Sequence, residues 1–380
     1  MPNSLSAPVI VIAPDSFKGS LSAEEAARAI ASGIQRACAD AVIRICPMAD
    51  GGEGTLDALL VHGGERQVLT VRGAAGVLRQ AATGLLTDGH GVIETAEIVG
   101  ITDPIGMGIP VENRSTCGMG DAIRTLLDTG VRQFFVALGG SSTNDGGAGL
   151  LAGLGVRFLD AHGNELQPVP AQLAHLARID VSQLDTRLAE TSFIAMSDVN
   201  NPLSGEQGAT AVFGPQKGVR PDQIKSLDTV LAHYAELLES ALGRSASTMP
   251  GAGAAGGLGF ALRMLGAQFE SGAEVVARHI GLDTALDGAN WLITGEGRSD
   301  QQTLHGKAPF IACRHAHAAG VPTTLLSGAV DAAALPFLAE YFAGCFSPAA
   351  GPMTLETALR DAASLLANEA EQLTRLKYNS

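Results

Sequence analysis

Residues 9–13 form an unbroken apolar run, Ala23, Ala27, Ile30, Ile34 and Cys38 then recur at helical spacing, and residues 42–46 make a second short apolar run. Ser22 and Glu25 stand at capping-box spacing ahead of the helical stretch. Together these predict a strand–helix–strand unit. From 66 to 96 the pattern shortens to alternating segments punctuated by glycine, such as Gln67-Val68-Leu69-Thr70-Val71, which predicts antiparallel hairpins. A helix is expected over 121–129, stopped by Gly130. Buried strands are expected over 134–138 and 193–196, and a hairpin over 157–169 turning at His162-Gly163-Asn164.

Residues 226–242 place Leu227, Val230, Leu231, Tyr234, Leu238 and Ala241 on one helical face. The α/β rhythm then returns, with strands over 290–294 and 323–326, a helix over 308–319 closed by Gly320, and one terminal helix over 354–376. Leu355, Leu359, Ala362, Leu366, Leu373 and Leu376 would form the apolar stripe of that last helix. The two ends share a strand–helix–strand grammar that the middle lacks. The expected fold is therefore α/β: a doubly wound parallel-sheet domain (1–68 and 286–380) interrupted by an inserted mixed α/β domain (69–285).

Length and composition narrow the function. At 380 residues two domains are the default, and 46% hydrophobic with 17% charged residues excludes a disordered chain. No apolar run reaches the roughly 18 residues a bilayer span needs. A net charge of -14 gives no pull toward nucleic acid or anionic lipid. The first residues carry no base before a very short apolar run, so they read as the lead into a strand and not as a secretory signal, and a cytoplasmic protein is expected. Five widely spaced cysteines without a CxxC pair read as reduced thiols.

Glycine, at 47 residues, is the outlier, and its clusters mark candidate chemistry. Three apolar strands run into loops of carboxylate and glycine: Asp15, Lys18 and Gly19; Asp50 to Glu53; and Glu296, Arg298 and Asp300. Strand ends of an open parallel sheet converge on one crevice, and carboxylates crowded there call for a cation. The loop LGGSSTNDGGAG (138–149) places backbone N–H groups and small hydroxyls where a helix begins, a construction suited to an anion. PGAGAAGGLG (250–259) contains GxGxxG at Gly251, Gly253 and Gly256, but polar residues precede it where a dinucleotide fingerprint needs a strand. Asp198, Asn200 and Asn201 follow the strand at 193–196 and suit Mg²⁺, a polar substrate or an ordinary turn. His315 and His317, two apart on a helix, face different ways and make poor metal ligands.

APDSFKGS (13–20), PMADGGEGT (47–55), GGSSTNDGG (139–147), NPLSG with VFGPQKG (201–205, 212–218), PGAGAAGGLG, and ITGEGRSDQQT followed by GK (293–303, 306–307) resemble, in order, the signature blocks of bacterial type I glycerate kinases. The segment 113–121 departs from that pattern, with Cys117 and Asp121 where relatives usually carry tyrosine and glutamate. The resemblance implies a flavodoxin-like domain interrupted by a second α/β domain, and ATP-dependent phosphorylation of D-glycerate, mostly at the 2-hydroxyl. Phosphoryl transfer needs an anion cradle, a metal, a cation on the migrating group and a carboxylate near the attacking hydroxyl. Under that reading Gly139, Gly140, Ser141, Ser142, Asn144, Asp145 and Gly146 hold ATP phosphates. Carboxylates among Asp15, Asp50, Glu53, Asp198 and Glu296 hold Mg²⁺ (Asp50, Asp198 and Glu296 foremost) or accept the hydroxyl proton, and Lys18, Lys217, Arg298 or Lys307 pairs with glycerate carboxylate or γ-phosphate. Phosphorylation at the 3-hydroxyl, an NAD-dependent hydroxy-acid dehydrogenase and a non-catalytic small-acid binding protein are the alternatives. Partners beyond these small molecules are not expected, apart from a second copy in a homodimer.

Overall fold

The computed structural model describes residues 7–378; the reading of residues 1–6 as free of a signal lies outside them. The chain folds as two compact units, one made of the chain up to residue 50, residues 57–62 and the chain from 273 on, the other of 51–56 and 63–272. Relative to the expected division, residues 51–56, 63–68 and 273–285 therefore change sides. Local bonds explain it. The strand Glu65–Arg72 pairs along its whole length with Leu78–Leu85, Gly139 N–H bonds to the Gly51 carbonyl, and Arg44 donates to the carbonyls of Ala285 and Asp287.

In the first unit the strands Gly344–Phe346, Thr323–Leu326, Trp291–Thr294, Val9–Ile12 and Val42–Ile45 lie side by side in that order, all parallel. Ile10, Ile12, Ile293 and Leu326 pack against Ile30 and Ile34 of the helix Ala23–Ala37 and Leu366 and Leu373 of the helix Ala362–Tyr378. Leu325 instead packs with Cys313 of the helix Ala308–Ala318, so the sheet is covered on both faces and its strands are mostly apolar. The two helices on the first face touch backbone to backbone, because a Cβ at Gly33 would run into the Ala367 carbonyl. The capping box forms as expected: Ser22 accepts from Glu25 N–H and Glu25 returns the bond, worth about 1 kcal/mol for such a cap.

The expected terminal helix is two. Leu355–Arg360 stops at Asp361, which leaves helical conformation (φ −100°, ψ 11°), and Ala362–Tyr378 follows, opened by the Asp361 carbonyl accepting from Leu365 N–H and the Ser364 hydroxyl. No residue of the short helix is buried; Leu355 and Leu376 are 74% and 70% exposed, so the expected stripe holds only at Ala362, Leu366 and Leu373.

The second unit has a six-stranded mixed sheet. Gln268–Glu270, Ser192–Met196, Gln133–Ala137 and His90–Glu94 run parallel, and Leu78–Leu85 and Glu65–Arg72 continue it antiparallel. Phe134 stacks on Phe193 at 5.2 Å between ring centres in its core. The hairpin expected over 157–169 is corrected: Arg157–Leu159 pairs with Arg178–Asp180, leaving only one bridge from Leu159 to Glu165, although the turn at 160–164 forms on the Asp160 carboxylate. The helix Cys117–Asp128 begins four residues before the expected start at 121. Asp121, one of the two departures noted above, forms a bidentate pair with Arg72 at 2.6 and 2.8 Å, and Cys117 is buried, so both serve packing. No helix among the described residues is long and apolar enough to cross a membrane.

Candidate active site

Parallel pairing sends the loops after Val9–Ile12, Val42–Ile45 and Trp291–Thr294 to one edge of the first sheet. The ladder continues beyond the strands and fixes them there: Asp15 N–H donates to the Gly295 carbonyl at 2.8 Å, Met48 N–H to Pro14, and the Thr294 hydroxyl to Ala13. Gly295 is required, since a Cβ there would strike the Leu326 carbonyl. Asp15 is thereby buried and accepts from Ser16 N–H at 2.6 Å. Burial chiefly, then the charge of Asp50 and more weakly that of Glu296, push its carboxyl up to about 8, while the Ser16 bond and Lys18 act the other way.

Glu296 is held on every side. Its Oε1 accepts from the Thr303 hydroxyl at 2.7 Å and the Ser299 hydroxyl at 3.1 Å, and its Oε2 faces Lys307 Nζ at 3.3 Å. The Asp300 capping box places the turn that carries Thr303. Lys18 and Arg298 are exposed at the same edge, Arg298 lying 3.6 Å from Asp331. Sequence reasoning thus brings Asp15, Lys18, Asp50, Glu296, Arg298 and Lys307 to one unit. Ser299 and Thr303, which orient Glu296, it missed, though they lie inside the motif it singled out.

The glycine loop after Gln133–Ala137 differs from expectation. Residues 142–147 are buried and their amides turn inward: Ser142 N–H donates to Val99, Gly146 N–H to Gly256, and Gly147 N–H to the carboxylate of Asp145. Asp145 also accepts from Thr116 N–H and hydroxyl at 2.7 and 2.8 Å and from Gly149 N–H. Burial raises its carboxyl above the usual range against those bonds. Asn144 donates to Thr210 Oγ1. The loop's accessible edge is Gly139 and Gly140, with Ser141 just beneath.

Lys217 lies behind this edge, its Nζ donating to Ser141 Oγ at 2.8 Å and to the Thr143 carbonyl at 2.7 Å. Burial lowers its ammonium to about 7 despite Asp145 nearby. Arg114, not singled out from sequence, is buried and ties the carbonyls of Ile109, Ser142 and Lys217 together. Glu94, likewise missed, caps the turn at Leu56 N–H at 2.6 Å, and burial pushes it up to about 7. A single buried acid at a strand end (Glu94) or base in a turn (Arg114) carries no spacing signal that would have flagged it.

Glu53 and Asp198 lie exposed on the second unit. The GxGxxG stretch follows a turn and not a strand, which removes the dinucleotide reading. Ala255, Gly256 and Gly257 all adopt positive φ, and Cβ atoms at the two glycines would strike Thr143 and Gly146, so the stretch packs backbone to backbone on the inner loop. His315 is partly buried, its ring nitrogens 2.6 Å from Asp283 and 3.0 Å from Glu274, and those carboxylates raise its pKa against the opposing effect of burial.

Residues 10–377 match the family model of the glycerate kinase family. The chain is 40% identical over 372 residues to a glycerate kinase of Halalkalibacterium halodurans, covering 96% of this chain and 97% of that one. It is 42% identical over 310 residues to a glycerate 2-kinase of Escherichia coli K12, covering 79% and 80%. A solved structure described as a candidate glycerate kinase 2 of Salmonella typhimurium LT2 superposes with a TM-score of 0.86 at 39% identity, covering 98% and 99%. The chain belongs to the glycerate kinase family.

Proposed function

We propose that the protein transfers the γ-phosphoryl group of ATP to the 2-hydroxyl of D-glycerate, giving 2-phosphoglycerate and ADP. Relatives named glycerate kinase and glycerate 2-kinase support the substrate and the position. The observation that carries the reading is the buried Asp15 carboxyl, fixed by strand-end bonds beside Asp50 and Glu296, in a chain whose family match runs over 10–377. We read the first unit as flavodoxin-like: numbered within the unit its strands lie 2-1-3-4-5, which puts the reversal of order between the strands that end at Asp15 and Glu296.

In this reading Asp15 accepts the proton of the attacking hydroxyl once cations brought in with the substrates offset the crowding by Asp50 and Glu296 that otherwise keeps it protonated, and its raised basicity then suits the task. Glu296 positions Lys307, and Lys307, Lys18 and Arg298 meet the anionic groups of the substrates. Among the described residues no group of three or more His, Cys, Asp or Glu side chains is placed to hold a metal by itself. Mg²⁺ needs only one or two carboxylates beside nucleotide phosphates, and the charge crowding on Asp15 fits a cation. Asp50 would hold it, and the ion would neutralise phosphate charge. Glu296, with Lys307 and two hydroxyls on its oxygens, suits positioning better than ligation, and the phosphate-binding role expected of 139–147 narrows to 139–141, with Lys217 as their support. The five cysteines are all free, which supports placing the protein in the reducing cytoplasm.

The test is phosphorus NMR of the product formed from ATP and D-glycerate. A 2-phosphoglycerate resonance is expected. A 3-phosphoglycerate resonance would move the acceptor to the other hydroxyl, and no product would remove the kinase reading.

A further inference from the structure

The break at Asp361 has an effect on the surface of the first unit. The short helix Leu355–Arg360, separated from Ala362–Tyr378 at Asp361 and without a buried residue, walls a cavity of about 260 Å³. Pro348, Met353, Leu355, Leu359, Ala362 and Leu366 make one side apolar. The opposite side is backbone: the loops holding Phe17 and Lys18, Gly297 and Arg298, and Gly328 and Ala329. Those loops are packed as tightly as backbone allows, since a Cβ at Gly328 would lie 2.6 Å from the Gly297 carbonyl and one at Gly297 would lie 3.3 Å from Lys18 N. The cavity's floor therefore consists of the residues that follow Asp15 and Glu296 in the chain, and its rim carries two exposed cations.

We propose that this cavity is the subsite for the purine ring of the nucleotide. The inference rests on the kinase reading above and adds the place where the donor's base is held. Glycerate has three carbons, each bearing oxygen, and gains little from an apolar wall. A purine is a flat, weakly polar ring that gains from one, at roughly 25 cal/mol per Å² of apolar surface removed from water. Small-molecule sites combine such walls with a few polar groups, and in open parallel sheets they lie beyond the carboxyl ends of the strands. A base in this cavity leaves its phosphates beside Lys18 and Arg298, where charge complements them. The exposed leucines of a helix with no buried residue then acquire a partner.

Ala358, half-buried on the wall, reports on the cavity with little burden on folding. Calorimetry would compare the parent with Ala358→Trp and with Leu359→Asp, using ADP and, as a base-free probe, inorganic tripolyphosphate, with KM for D-glycerate measured alongside. Both variants should bind ADP at least about tenfold more weakly, a loss near 1.4 kcal/mol, while tripolyphosphate affinity and the KM for glycerate stay within about twofold of the parent. Unchanged ADP affinity in variants whose circular dichroism and Tm match the parent would overturn the subsite. So would a matching loss of tripolyphosphate affinity or a rise in the KM for glycerate, since either would assign the cavity to another group. The two readings separate: a parent that binds ADP in this base-dependent way yet makes no phosphoglycerate keeps the subsite and loses the kinase, and a parent that makes phosphoglycerate while the variants bind ADP unchanged does the reverse.

Discussion

Asp15 is costly to hold and is held all the same. A carboxyl taken from 3.8 to about 8 keeps its proton in the folded state across a window in which the unfolded chain has lost it. Stability contributed by that proton is present below the unfolded value and disappears as pH rises through the folded one. Asn has the same shape and no charge to lose. Asp15→Asn should therefore unfold at a higher temperature than the parent in metal-free buffer, with the gap widening from pH 5 to pH 8; differential scanning calorimetry at several pH values checks this, and a gap that is flat or shrinks with pH contradicts the burial account. Lys217 makes a complementary case, since its two bonds to Ser141 and Thr143 hold the buried stretch directly behind the accessible Gly139 and Gly140. Lys217→Met keeps the apolar stem and removes both donors. Hydrogen exchange at 140–144 should accelerate by about tenfold or more, and unchanged protection would show that the loop does not depend on this lysine.

At the scale of elements, the glycine loops divide by what lies behind them. Gly146 has φ +67°, and a Cβ there would lie 2.6 Å from the Tyr234 ring, whereas Gly140 with φ +74° meets only Ala96 Cβ at 3.1 Å. Gly146→Val should lose most soluble expression, and Gly140→Ala should fold and raise the KM for ATP several-fold; a soluble, fully active Gly146→Val would contradict the packing described. The parallel strands, the capped helix Ala23–Ala37 and the strand-end carboxylates were legible because periodicity and local spacing encode them. The inward turn of 142–147 was not, because it depends on Gly146 N–H reaching the Gly256 carbonyl across more than a hundred residues and on Asp145 accepting from Thr116. The break at Asp361 was hidden for a related reason: neither Gly nor Pro marks it, and the leucine stripe runs through it unbroken in sequence. Arg114 escaped notice since its partners, apart from the Met107 sulfur, are backbone carbonyls, which leave no trace in side-chain pattern.

For the molecule as a whole, a net charge of -14 offers ATP and glycerate no long-range attraction, so the cations gathered near Asp15 have to supply it locally. Lys18, Arg298 and Lys307 all follow strands of one sheet closely in sequence, and Glu296 orients the last of them. The central claim is that this strand-end cluster performs the phosphoryl transfer of a glycerate kinase. Its most direct test is D-glycerate-dependent ADP release at saturating ATP, measured for the parent and for Asp15→Asn of matching fold. The account predicts turnover by the parent and a fall of at least about a hundredfold in the variant, as befits a group that acts in the transition state. A folded Asp15→Asn enzyme with near-parental turnover would contradict it.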